Sequence, residues 1–416
     1  MKPQRCPSFT FRMKFLGASR LHWLIVAGVL GLWSNNAVAE KKPLKVFILT
    51  GQSNMQGHAH VGTFEHVGMD PKTLPLLEEM QSPDGKPRVH KNVWISYLSN
   101  NGEKRGRLTA GFGANKDKIG PELTFGIYMQ KRLNEPILII KTAWGGKSLH
   151  TDFRPPSAGP FAFGPRQLQR FKKQKKDIAK IKADKAKATG RFYRLTIEHV
   201  KRVLADIKRV YPDYRADQGY ELAGLVWFQG WNDMVDRGTY PNRNRKGGYD
   251  QYSKVLAHFI RDVRKDLSAP KLPFVIGVLG VGGPVEKYLP KQQRYRKIHQ
   301  NFRLAMAAPA SLPEFKGNVA AVLTEKYWDL QLVKLRARDA TIKQKLRKLR
   351  AEKKLSRKEQ RAAQAKFRAA EFSKREIKVL QKGVSNFEFH YLGSAKIMAQ
   401  IGKGFAEAMP GKRLEK

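Results

Sequence analysis

Ser53 is the residue of this chain best placed to attack an electrophile. It stands in Gly51-Gln52-Ser53-Asn54-Met55, directly after the apolar run Val46-Phe47-Ile48-Leu49-Thr50. A buried strand that ends in a Gly-x-Ser turn leaves a hydroxyl at the mouth of a sheet. A serine hydroxyl is weakly nucleophilic at neutral pH, so this chemistry needs a base beside it to take the proton. Helix capping is the commoner use of a lone serine in such a turn. Ser53 does not stand alone. Gly146 of Trp144-Gly145-Gly146 and Asn232 of Phe228-Gln229-Gly230-Trp231-Asn232-Asp233 also follow apolar runs. Three loops then bring their groups to one rim, outside the carboxyl ends of the strands, where open α/β sheets bind ligands. The string is not the G-x-S-x-G elbow, because Met55 stands where the second glycine belongs.

The elements that must position these groups are legible as six short runs rich in β-branched residues, at 46–50, 93–98, 136–142, 222–228, 274–279 and 319–324. Wholly apolar runs separated by helical patterns predict a parallel sheet covered on both faces. Helices are expected at 121–133, 192–210, 249–267 and 393–409. Two stretches do not fit the sheet. Residues 166–188 and 331–382 are dominated by Lys, Arg, Gln and Ala. In the second, Leu335, Ile342, Leu346 and Leu349 recur at steps of seven, four and three, a narrow helical stripe. Ser356-Arg357-Lys358-Glu359 then supplies a capping box, so a second helix starts there and the segment reads as a basic helical hairpin. With 416 residues, 41% of them hydrophobic, the chain can bury a sizeable core in one large α/β domain carrying such insertions.

Residues 1–39 read as a secretory signal peptide. Lys14 and Arg20 precede an apolar stretch at 21–33 and then Ala37-Val38-Ala39, which puts the start of the mature protein near Glu40 and leaves Met13 as a second start codon. The stretch is shorter than the roughly 20 residues a bilayer needs, so no transmembrane anchor is expected in the mature chain. The single cysteine, Cys6, lies inside this leader, and an exported protein without it has no disulfide. The formal net charge is +45, and removal of Lys2, Arg5, Arg12, Lys14 and Arg20 leaves +40. Such a balance favours polyanions, namely acidic or sulfated polysaccharide, anionic lipid or nucleic acid. Export puts nucleic acid last.

In their order, Gly51-Gln52-Ser53-Asn54-Met55, Trp144-Gly145-Gly146, Gln229-Gly230-Trp231-Asn232 and the late His390-Tyr391 resemble the SGNH-hydrolase superfamily. Within it the chain is most similar to the sialate O-acetylesterase-like domain shared with carbohydrate esterase family six. The resemblance implies a three-layer α/β/α fold with a central parallel sheet. It implies a cofactor-free carbohydrate esterase that removes O-acetyl groups from a polysaccharide or sialic-acid-like sugar through an acyl-serine. Ser53 would be the nucleophile and His390 the base and acid. The oxyanion donors would be the Ser53 and Gly146 backbone N–H groups and the Asn232 side chain. Gln52, Asn54, Trp144 and Trp231 are expected at the substrate pocket, and Gln229 either orients Asn232 or contacts substrate. Tyr391 is a further candidate wall.

One position departs from the pattern. The superfamily commonly places an aspartate three residues before the histidine, and here that residue is Phe387. Glu388, Asp329 or a backbone carbonyl are the alternatives for holding His390. His58 and His60, at i and i+2 without cysteines or clustered carboxylates, are weak metal ligands, and no metal is expected. Two other readings stand beside this one. The first is a short-chain, lipase-like esterase of the same superfamily. The second is an exported protein with an inactive hydrolase core, whose basic hairpin binds acidic or sulfated polysaccharide.

Overall fold

Seven strands form one sheet in the computed structural model, which describes residues 42–353 and 355–410. The leader-peptide reading and Cys6 lie outside the described residues. The strands are β1 (Leu44–Gly51), β2 (His90–Ser99), β3 (Gly102–Leu108), β4 (Ile137–Ala143), β5 (Tyr220–Phe228), β6 (Phe274–Val278) and β7 (Val319–Leu323). They are ordered β3-β2-β4-β1-β5-β6-β7. Every neighbouring pair is parallel except β2 with β3. The six apolar runs are thus the six parallel strands. The seventh, β3, reads Gly-Glu-Lys-Arg-Gly-Arg-Leu and carries no apolar signal, because it is a charged edge strand closing a hairpin.

Adjacent residues of a strand point to opposite faces, which makes the layers traceable. Lys141 of β4 bonds Glu122 of the helix Glu122–Leu133, while its neighbour Thr142 bonds Thr196 of the helix Arg191–Ala205. On β5, Phe228 packs on Phe405 of the helix Ala395–Ala408 and Trp227 on Phe259 of the helix Asp250–Asp266. Helices therefore cover both faces, giving a three-layer α/β/α architecture. All four expected helices are present. The one expected at 192–210 ends at Ala205, where Asp206 caps a separate turn, Ile207–Arg209. The helix Arg296–Ala307 was not expected from the sequence.

The basic segments are helical. The first forms Pro165–Lys173 and Ile178–Ala188. The second forms Leu330–Glu352, Arg357–Glu371 and a third helix, Lys374–Lys382. Ser356 and Glu359 make the reciprocal capping box. Leu335, Ile342 and Leu346 are buried along the stripe. Asp339 receives Arg368 at 2.7 and 3.0 Å and joins the two long helices. Lys378 and Lys382 bind Glu65, tying the third helix back to the body. Among the described residues no helix is long and apolar enough to cross a membrane.

Candidate active site

Ser53 opens a one-turn helix, Ser53–Gln56, at the carboxyl end of β1, so its own N–H has no carbonyl of a preceding helical turn to bond. Gly51 is required there. A Cβ on it would lie 2.2 Å from the Phe228 carbonyl oxygen, so only glycine lets β1 and β5 run this close at the rim. The loop after β4 passes beside Ser53, since a side chain on Gly145 would meet Ser53 Cβ at 3.9 Å. Gly146, next along, has φ +72° and open space beside it. Beneath the turn, fully buried Lys141 donates to the carbonyls of Gln56 at 2.9 Å and Phe112 at 2.7 Å, and to Glu122 at 2.7 Å. Burial pushes the Lys141 ammonium down and the Glu122 carboxyl up, and the contact between them opposes both shifts. Sequence reasoning missed this pair. Its signal was a lysine inside the run Ile139-Ile140-Lys141-Thr142.

Asn232 is held by Gln52 through hydrogen bonds that decide which way both amides point. Gln52 Oε1 accepts from Gln229 Nε2 at 3.1 Å, Gly230 N at 3.0 Å and Asn232 N at 3.3 Å. Backbone N–H groups only donate, so that atom is the oxygen. Gln52 Nε2 then donates to Asn232 Oδ1 at 2.9 Å, which leaves Asn232 Nδ2 as the free donor. Gln229 also donates to Asp233 at 2.6 Å and to the Lys147 carbonyl at 3.0 Å. Asp233 further accepts from the Leu149 and His150 backbone and the Tyr240 hydroxyl, which binds the loops after β4 and β5 together. Gln52 and Gln229, each 1% exposed, therefore sit behind Asn232 rather than at an open surface.

His390 lies in a tightly bent segment, Glu388–Gly393, that touches the Ser53–Gln56 turn. Tyr391, Leu392 and Gly393 have φ of +52°, +61° and +57°. Left-handed backbone at a non-glycine residue costs on the order of 1–3 kcal/mol, so the surroundings must fix this bend. The Leu392 carbonyl accepts from Ser385 N at 2.9 Å and Asn386 N at 3.0 Å. The buried Tyr391 hydroxyl accepts from Gly280 N at 2.8 Å and pairs with Thr324 at 2.6 Å. Tyr391 is thus a core residue, not a pocket wall. The His390 ring stacks on His58 with centroids 3.9 Å apart, and its Nδ1 faces Asn386 Oδ1 at 3.0 Å. Neither candidate acid is found beside it. Glu388 accepts from Gln292 at 3.2 Å, while Asp329 pairs with Lys396 at 3.1 Å and His66 at 3.4 Å and caps the helix Leu330–Glu352.

Burial pulls His390 down to about 4, with the Lys118 charge a smaller cause. His58 falls to about 3, from burial first and then the charges of His390, Lys118 and Lys141. With His390 as the base expected from the sequence, which works when neutral, turnover of a small aryl acetate should rise with pH through about 4 and be level by neutrality. A pH series of kcat/KM checks this, and an acid limb at the ordinary imidazole value of about 6.5 would contradict the buried environment described.

A cleft of about 390 Å³ is lined by Trp231, Phe389, Tyr288, Tyr295, Arg237, Arg243 and Glu388 among others, while Ser53, Gly146, Asn232 and His390 are not in its lining. Trp231 and Phe389, one residue from Asn232 and His390, approach with ring centroids 5.5 Å apart. Trp144, expected at the pocket, is 2% exposed and packs on Phe153 and Phe192 in the core. Asn54 is buried, and both of its amide atoms lack a partner. Phe389 and the two arginines were missed, although the alternating Phe387-Glu388-Phe389-His390 was a readable signal for the first.

A family model described as carbohydrate esterase, sialic acid-specific acetylesterase, matches residues 43–314. The match includes Ser53, Gly146 and Asn232 and stops short of His390. Among solved structures the chain is similar to a protein from Arabidopsis thaliana, at 16% identity over 67% of this chain and 85% of that one, with a TM-score of 0.37. It is also similar to a carbohydrate acetylesterase from Xanthomonas citri, at 13% identity, 67% and 50% coverage and TM-score 0.38. NanS is a third, at 14% identity, 68% and 78% coverage and TM-score 0.34. The chain thus spans half the length of the Xanthomonas citri protein. A search of curated proteins finds no match.

Proposed function

The chain belongs to the carbohydrate esterase family of sialic acid-specific acetylesterases and is a hydrolase of ester bonds, and from that premise we propose a serine mechanism on an O-acetylated sugar. His390 Nε2 takes the proton of Ser53 Oγ as the oxygen attacks the acetyl carbonyl. The oxyanion that forms is met by the N–H groups of Ser53 and Gly146 and by Asn232 Nδ2. His390 returns its proton to the departing sugar oxygen, leaving acetyl-Ser53. Water, deprotonated by His390, then releases acetate and restores the serine. The observation that carries this reading is the Gln52 amide, which lies 3.5 Å from Ser53 Oγ and whose bonds to Asn232 and its neighbours leave Asn232 Nδ2 as the committed donor.

The sugar would occupy the cleft lined by Trp231 and Phe389, whose aromatic rings suit its C–H surfaces. Arg237 and Arg243 against one acid, Glu388, favour a sugar bearing a carboxylate or sulfate. The protein acts after export, in the periplasm or outside the cell, as the leader at 1–39 supports. Acetate release from a panel of acetylated acidic sugars, neutral sugars and lipid esters tests the reading. Release from lipid esters alone supports a lipase-like enzyme, and no release from any of them supports an inactive binding protein.

Residues 331–382 carry nineteen Lys and Arg against five Asp and Glu, and they are assigned here as a tether to acidic or sulfated polysaccharide. Lys345, Arg347, Lys348 and Arg361 are exposed on the two long helices. Reversing these four to glutamate should abolish salt-sensitive retention on a heparin column, since such attraction is screened within about 8 Å at 0.15 M salt. Aryl acetate turnover should not change. Undiminished retention would assign the segment a merely structural role.

A further inference from the structure

We propose that Asn386 stands in for the missing acid, as the positioning residue that fixes His390 with its proton on Nδ1 and its basic lone pair on Nε2. This rests on the reading of His390 as the base. The orientation of the Asn386 amide is decided by its neighbours. Asn386 Oδ1 lies 2.7 Å from the backbone N–H of Phe387, which can only donate, so the atom there is the oxygen. The same oxygen lies 3.0 Å from His390 Nδ1. An oxygen acceptor requires a hydrogen on Nδ1, and in a neutral imidazole that leaves Nε2 unprotonated. The tautomer needed for proton abstraction is thereby written into the backbone.

The bent segment brings the two residues together. Asn386 N donates to the Leu392 carbonyl at 3.0 Å and Leu392 N donates back to Phe387 O at 3.1 Å, closing a loop with His390 inside it. That closure needs the left-handed run Tyr391-Leu392-Gly393. It also needs glycine at its end, because a Cβ there would lie 2.7 Å from Asn386 Cβ and 2.4 Å from Ser385 Oγ. Ser385 in turn accepts from His60 N at 3.2 Å and donates to the Gly393 carbonyl at 2.7 Å, which clasps the loop to the chain leaving the nucleophile turn.

A neutral amide orients the imidazole as a carboxylate does, but it does not offset the positive charge the ring gains when it takes a proton. The other groups facing His390 do not supply that charge either. His58 is stacked on it as a neutral ring, Lys118 disfavours the cation, Lys141 lies toward His58, and Glu388 is turned to Gln292. The arrangement keeps the base unprotonated in acid.

The test uses the full chain and a small aryl acetate, with kcat and KM followed across pH for Asn386→Asp, Asn386→Ala and His390→Ala. Aspartate accepts from the same Phe387 N–H and adds a charge 3.0 Å from the ring, so the acid limb of kcat should move up by about 1–3 pH units. Asn386→Ala should lower kcat about tenfold with little change in KM, and should leave the limb unraised. The inference is overturned if the aspartate leaves the limb in place and the alanine leaves kcat intact while His390→Ala is inactive. Full activity in His390→Ala would overturn the underlying reading of the base instead.

Discussion

Ser53→Ala is expected to lose aryl acetate turnover by about 10⁴-fold or more while keeping its fold. The hydroxyl makes a single contact at the limit of hydrogen bonding, 3.5 Å from Gln52 Nε2, so its removal leaves little unpaired. Thermal unfolding should therefore be nearly unchanged, within the roughly 0.5 kcal/mol typical of substitutions that break no named feature. His390→Ala should fall equally far, and the double variant no further, because in the proposed mechanism the two residues act as one unit. Initial rates and melting curves on the four proteins check this. Two independent losses that multiply would mean that the residues do not share a step.

Asn232→Ala should lower kcat on the order of 100-fold to 1000-fold, the usual cost of one oxyanion donor. A sharper expectation concerns Gln52→Glu. The new carboxylate can still accept the three N–H groups that Gln52 Oε1 accepts, but it cannot donate to Asn232 Oδ1. Asn232 then turns its Nδ2 toward the carboxylate, and the hole loses its donor although the asparagine remains. Gln52→Glu should approach the loss of Asn232→Ala, and the pair together should be no worse than the larger single loss. Additive losses would show that Gln52 acts on something other than Asn232.

What could be read from the sequence follows the strength of the local signal. Parallel strands buried on both faces are continuous apolar runs, so β1, β2, β4, β5, β6 and β7 stood out, and with them the loops carrying Ser53, Gly146 and Asn232. The edge strand β3 is polar because one of its sides meets water, and no periodicity marked it. Trp144 and Tyr391 were misjudged for a different reason. An aromatic beside a motif looks the same in sequence whether it faces a cleft or the core, and here both are buried. Asn386 carried no signal as a partner of His390, since their approach depends on three successive left-handed residues that include a tyrosine and a leucine. The basic hairpin was legible through its stripe and the Ser356 capping box, but the return helix Lys374–Lys382 and its anchor on Glu65 were not.

The central claim is that Ser53 carries the acetyl group between sugar and water. The most direct measurement mixes the protein with an O-acetylated acidic monosaccharide, quenches in acid within the first turnovers, and locates acetyl by peptide mass spectrometry while free acetate is counted. The account predicts acetyl on the peptide holding Ser53 in the wild type, none there in Ser53→Ala, and acetate released only by the former. Acetate release at the wild-type rate from Ser53→Ala, or acetyl found on another residue, would contradict it.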